Sequence, residues 1–222
     1  MATATPILEA IEPAGADTET MADVIERLGG IPAERILMRP VPGTATEKDV
    51  VRFKLCELID GTIVRKPMGF NESVWGLFIA QELGIFVKEH DLGFLSGSDS
   101  LTRVAPGQVR EPDVSFFRWE RFPDEKVPQV PIVDRAPDLA IEVLSRGNTK
   151  KEIDRKRREF FAAGTRLMWI MNPRKKTVEV WTDAETCRTL TEGDTLDGGD
   201  VLPGFSIPTH DWFEGPQRSR KR

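Results

Sequence analysis

Two stretches of the chain are almost unbroken runs of apolar residues. Leu139-Ala140-Ile141-Glu142-Val143-Leu144 and Leu167-Met168-Trp169-Ile170-Met171 have strand length and the continuous apolarity of strands covered on both faces. Between them, residues 150–163 carry Ile153, Phe160 and Ala163 on one helical stripe. They end at Gly164, a residue suited to the left-handed position that closes a helix. This strand–helix–strand unit predicts two parallel strands joined by a right-handed crossover. Upstream, residues 53–59 and 62–65 flank Asp60-Gly61, the dipeptide preferred in a type I′ turn, and predict a hairpin. Residues 71–90 read as a long helix that is apolar on nearly every side, and hence as buried and central. Residues 94–95 and 101–104 read as a second hairpin around Gly97-Ser98-Asp99. Residues 114–117 form a strand led by Pro112-Asp113, and 123–131 a proline-marked loop. Further strands are expected at 177–181 and 188–190, with 202–207 closing the sheet. Near the start, 21–28 reads as a short helix stopped by Gly29-Gly30, and Thr44 with Glu47 resembles a capping box. The predicted fold class is α/β: an α/β/α sandwich with a mixed central sheet and an N-terminal β-hairpin.

Composition narrows the chemistry. The 222 residues are 39% hydrophobic, enough for one domain, expected over 20–213. Residues 1–19 read as a disordered lead segment and 214–222 as a basic tail. No apolar run reaches the length of about 18 residues that a membrane helix needs, and no signal peptide is recognisable. The expected location is the cytoplasm, with no membrane partner. Cys56 and Cys187 are far apart, as are His90 and His210, so a Cys/His zinc site is nearly excluded and the thiols are expected to be reduced and structural. A bound metal would therefore be held by oxygen, which points to Mg2+, with Mn2+ able to substitute. The net charge of −5 disfavours nucleic acid as a partner. Basic residues nevertheless cluster at Lys150, Lys151 and Arg155–Arg158 and again at Arg174-Lys175-Lys176. Lys150, Lys151 and Arg155 are candidate nucleic-acid contacts, with an ordinary solvated helix face as the alternative.

Three polar residues fit poorly with a pure scaffold. Glu142 interrupts an apolar strand, where a lone buried carboxylate needs a partner or a metal; exposure at a sheet edge is the alternative. Lys156 lies three residues after Ile153 and four before Phe160, on the inward stripe of its helix. Its alternatives are a snorkelling side chain or an i,i+4 pair with Glu152. Asp113 opens the strand after Pro112, and Pro-Asp by itself is common in turns. Together, two carboxylates on neighbouring strands, with the Val143 backbone carbonyl, could hold a divalent cation beside a lysine. That arrangement suits phosphodiester hydrolysis.

The order of these motifs resembles the Uma-type family of restriction endonucleases, a branch of the PD-(D/E)XK nuclease superfamily. The resemblance lies in Arg110-Glu111-Pro112-Asp113-Val114, in Pro137 to Ser145, and in Lys156 and Phe160. It continues through Ala162-Ala163-Gly164 and Leu167 to Pro173, with Glu57 to Gly61 upstream and Leu202 to Pro208 downstream. It implies a restriction-endonuclease-like fold and an enzyme that cuts DNA with Mg2+, using Asp113 and Glu142 as metal ligands. It also implies that the catalytic lysine has moved from position 144, a leucine here, to Lys156 on the following helix. Glu72 stands where the family often has histidine, Phe160 where it often has tyrosine, and Glu152 where it often has aspartate. Glu72, Glu82 and Glu57 are candidate supporting acids. Cleavage of both DNA strands would suit a homodimer. The alternative is a catalytically inactive nuclease-like module that binds nucleic acid or protein.

Overall fold

The computed structural model describes residues 19–67 and 69–216. Residues 1–18 and 217–222 lie outside them, and with them nearly all of the expected disordered lead and most of the basic tail. In chain order the elements are α1 (Met21–Arg27), α2 (Glu47–Val50), β1 (Cys56–Ile59), β2 (Thr62–Arg65), α3 (Phe70–Glu89), β3 (Gly93–Ser96), β4 (Leu101–Ala105), β5 (Gln108–Arg110), β6 (Val114–Arg118), β7 (Ile132–Val133), β8 (Leu139–Val143), α4 (Lys150–Ala162), β9 (Leu167–Asn172), β10 (Thr177–Trp181), β11 (Cys187–Leu190), β12 (Thr195–Gly198), β13 (Leu202–Pro208) and α5 (Thr209–Glu214).

The main sheet is mixed, with strand order β11-β10-β9-β8-β6-β3. Its centre is the parallel pair β8 and β9, in register from Leu139↔Leu167 to Val143↔Met171, joined through α4 as the apolar runs predict. Side chains alternate across a strand. Leu139, Ile141 and Val143 therefore join the core formed with Trp75, Ile79, Leu83 and Val87 of α3 and with Trp212 of α5. Ala140, with Met168 and Ile170, packs on the opposite side against Ile153 and Phe160 of α4. Helices thus cover both faces, giving the expected sandwich.

A second sheet, β2-β1-β5-β4-β7, absorbs the predicted N-terminal hairpin. Asp60 and Gly61 take φ of 47° and 67°, the left-handed pair a type I′ turn requires. Helix α4 lies between the two sheets. Its apolar stripe packs on the main sheet, while Arg155, Lys156 and Glu159 bond to Asp60, Glu57 and Arg110 of the second.

Several expected elements differ. The strands at 93–96 and 101–105 are not a hairpin: β3 pairs with β6 at the edge of the main sheet, and β4 pairs with β5 in the other. Strand β13 does not close the main sheet but forms a separate ribbon with β12. The capping box falls two residues later than expected, at Thr46 with Asp49. Helix α3 is buried on one face only, with Leu77 72% exposed and Phe70 88% exposed. Both cysteines are free; Cys56 is buried, but Cys187 is exposed rather than a core thiol.

Candidate active site

Asp113 and Glu142 meet because β6 and β8 are antiparallel neighbours, paired Val114↔Ile141. The Asp113 N–H donates to the Ile141 carbonyl at 3.1 Å, and the Val143 N–H donates to Asp113 Oδ2 at 2.7 Å. Two backbone-linked bonds thus fix Asp113 beside the end of β8. Alternation turns Glu142 away from the α3 core toward α4, where it is 4% exposed. Burial raises its pKa to about 7, with Asp113 adding repulsion and Lys156 pulling the other way. The edge-exposure reading of Glu142 is excluded.

Lys156 points inward, as its place on the helical stripe predicts, and is 3% exposed. Its Nζ lies 2.6 Å from Glu142 Oε1 and 2.8 Å from Glu57 Oε1. Burial works against its charge, but Glu142 and Glu57 outweigh that effect, so Lys156 holds its proton above the ordinary lysine range. Neither the snorkelling reading nor an i,i+4 pair with Glu152 holds. Glu152 instead forms a two-pronged ion pair with Arg35, at 2.6 and 2.9 Å.

Glu57 is the hub that positions this lysine. It accepts from Arg110 Nη1 at 2.9 Å and from the Glu111 N–H at 3.0 Å. Burial would raise its pKa, but Lys156, Arg110 and Lys66 outweigh that and hold it well below the usual carboxylate range. Arg110 is itself fully buried, between Glu57 and Glu159. Glu111 is held less well: its Oε2 finds no hydrogen-bond donor, and burial, with Glu57 adding repulsion, outweighs the pull of Lys66 and pushes its pKa up to about 8.

Glu57, Asp113, Glu142 and Lys156 line a small cavity with Lys66 and Glu72, with space of about 10 Å³, room for roughly one water. A family model described as "Putative restriction endonuclease", Uma2, matches residues 52–210. The chain belongs to the Uma2 family. In fold it is also similar to the crystal structure of "a putative nuclease belonging to DUF820" from Anabaena variabilis. The TM-score is 0.68 at 20% identity, over 77% of this chain and 98% of that one. No curated protein matches the sequence.

In this Uma2 member the remaining candidate residues divide between the cavity wall and the rest of the molecule. Glu72, in the first turn of α3, lines the cavity. Gly69 makes room for it, since a Cβ at 69 would lie 2.6 Å from Glu72 Oε2. Glu82 lies further along α3, half-buried and outside the cavity lining. Arg155 is engaged within the protein, donating to Asp60, to Glu159 and to the Arg27 carbonyl. Lys150 is exposed and pairs with Asp154, and Lys151 is exposed on the same first turn of α4. A larger cleft of about 610 Å³ adjoins the cavity, sharing Asn148 and Ile153 with it, and has Arg174 and Lys175 in its wall.

Sequence reasoning missed Lys66. It follows β2 and reads as an ordinary surface lysine before Pro67, yet its Nζ donates to Asp113 Oδ1 at 2.9 Å with both side chains only 6% exposed. No local signal marks it. Arg110 and Glu111 were visible as part of the motif, but without a role.

Proposed function

We propose that the protein is a metal-dependent endonuclease that hydrolyses phosphodiester bonds of DNA at Asp113, Glu142 and Lys156. One observation carries the reading: two buried carboxylates from adjacent strands face a buried, charged lysine on the crossover helix. A scaffold gains little from such a group, because desolvating the charges offsets most of their attraction.

The donor set fits a hard divalent cation. Glu142 Oε1, though beside Lys156, has no hydrogen-bond donor in line with it, and Asp113 and the Val143 carbonyl are oxygen donors alongside. Among the described residues no group of three His, Cys, Asp or Glu forms a ready-made cage. That suits Mg2+ or Mn2+, which keep several waters and use one or two carboxylates. Bound by Asp113, Glu142 and the Val143 carbonyl, the ion would supply positive charge to a phosphate and lower the pKa of water.

The chain's own residues do the rest. Lys156 retains its proton, so it acts as a fixed cation that stabilises charge on a phosphate oxygen rather than as a base. Glu57, 2.8 Å from Lys156 Nζ, helps keep the lysine in place beside Glu142. Burial raises the pKa of Glu142 to about 7 in the metal-free site, so a cation beside it would favour its charged form. A homodimer would bring two such sites to a duplex.

A second reading, a nuclease-like module that binds without cutting, is favoured by one observation: Lys66 already neutralises Asp113. Nicking of supercoiled and single-stranded DNA with Mg2+ or Mn2+ separates the two. The expected result is metal-dependent cleavage that falls about 100-fold or more in Glu142→Gln and in Lys156→Met. Cleavage that survives both substitutions would place the activity elsewhere. DNA binding without cleavage at any metal concentration would establish the second reading.

A further inference from the structure

Asp113 is a ligand of the proposed divalent cation, yet both of its oxygens are already engaged. Oδ2 accepts the Val143 N–H at 2.7 Å and Oδ1 accepts Lys66 Nζ at 2.9 Å. The adjoining cavity has room for about one water, too little for a hydrated ion beside an ammonium group.

The attachment of Lys66 allows its head to move while its backbone stays. The Lys66 N–H donates to the Leu55 carbonyl at 2.8 Å, Arg35 Nε donates to the Arg65 carbonyl at 2.8 Å, and Pro67 follows in the cavity wall. The side chain is a flexible four-carbon stem ending in a compact charge with three donors. A lysine is thus able to stand in for a cation among carboxylates. It neutralises Asp113 now, and it would repel a divalent ion at that carboxylate.

We propose that Lys66 is a tethered counter-cation that occupies the metal's place on Asp113, so that binding of a divalent ion requires the lysine to swing out. The metal-free site is therefore locked closed, and this exchange sets part of the metal affinity. The inference rests on the reading of Asp113 as a metal ligand.

Calorimetric titration of Mn2+ into wild type, Lys66→Met and Lys66→Arg tests it without any activity assay. Lys66→Met should bind Mn2+ about tenfold tighter or more, equivalent to roughly 1.4 kcal/mol. Lys66→Arg should stay as weak as wild type, and adding Asp113→Asn to Lys66→Met should abolish the gain. In wild type, acetylation of Lys66 by an amine-reactive ester, read by mass spectrometry, should rise when Mn2+ is saturating. This second readout decides the matter if Lys66→Met fails to fold. Equal Mn2+ affinity in wild type and Lys66→Met, or unchanged labelling of Lys66 at saturation, overturns the exchange and leaves the metal reading standing. Absence of Mn2+ binding in both proteins overturns the metal reading and the exchange with it.

Discussion

Glu57 shows how much of the site is electrostatic support. Three groups converge on its carboxylate: Arg110, the Glu111 N–H and Lys156. Neutralising it would leave Arg110 and Lys156 buried with fewer counter-charges, and breaking a buried pair from one side is costly. Glu57→Gln is expected to lower stability by about 3 kcal/mol, measured as a shift of the denaturant midpoint at unchanged slope. A shift of only a few tenths would show that water relieves the loss and that the hub is not structural. At this scale the sequence was informative where a residue broke a pattern. Glu142 interrupts an apolar strand, and Lys156 sits on an inward stripe; each anomaly follows from local periodicity. Lys66 breaks no pattern. Its partner Asp113 lies 47 residues away, and only the folded chain brings the two together, so no local reading could have found it.

Helix α4 places the lysine, and its start is built from two residues. The Thr149 hydroxyl oxygen accepts the Glu152 N–H at 3.1 Å and its O–H donates to the Gly29 carbonyl at 2.8 Å. Thr149→Ala removes both bonds and should cost about 1 kcal/mol, read from thermal or denaturant unfolding. The β1–β2 turn tethers the same helix from the other sheet. Asp60 accepts from Arg155 Nη2 and from Gln108, at 2.8 and 2.6 Å. Although burial raises its pKa, the bonds from Arg155 and Gln108 leave it below the usual aspartate value. A depressed carboxylate contributes stability that is present above its unfolded pKa, near 3.8, and is lost as pH falls through the lower folded value. Asp60→Asn keeps a residue tolerant of positive φ, so the turn should survive. The variant should be less stable than wild type by about 1 kcal/mol at pH 7, with the gap closing on the acid side of pH 4. A gap that persists at pH 2 would trace the effect to turn geometry instead. The hairpin was legible because Asp-Gly encodes its own turn. The supposed hairpin at β3 and β4 was not, because its two strands satisfy their backbones in different sheets, a choice made by distant partners.

At the scale of the whole molecule, the layering of the main sheet could be read from the two continuous apolar strands and the helix between them. The second sheet could not, since β5 has three residues and β7 two, too short for periodicity to register. Yet that sheet explains why Lys156 is buried at all: without β1 and β5 against α4, the lysine would face water. The same layering bears on how a net-acidic chain could approach DNA. Arg155, the most inward of the candidate contacts, is consumed by internal pairs, whereas the larger cleft opens beside the small cavity and shares Asn148 and Ile153 with it. Of the cleft's two carboxylates, Asp154 is paired with Lys150 and Arg157, whereas Glu179 accepts only the neutral Trp181 indole N–H and keeps its charge. Arg174 makes only a 3.5 Å contact with the Ser145 carbonyl, and Lys175 has no ion-pair partner among the described residues. Set against the charge that Glu179 keeps, Arg174 and Lys175 still leave the unpaired charge of the cleft positive, next to the proposed metal site. If a DNA strand leaves the site through this cleft, the double variant Arg174→Glu with Lys175→Glu should weaken binding. The dependence of log affinity on log salt should also become shallower by about two contacts. Anisotropy titrations in a Glu142→Gln background would measure both quantities without cleavage. Unchanged affinity and slope, with the fold intact by circular dichroism, would mean that the strand is held by the exposed first turn of α4 at Lys150 and Lys151 instead.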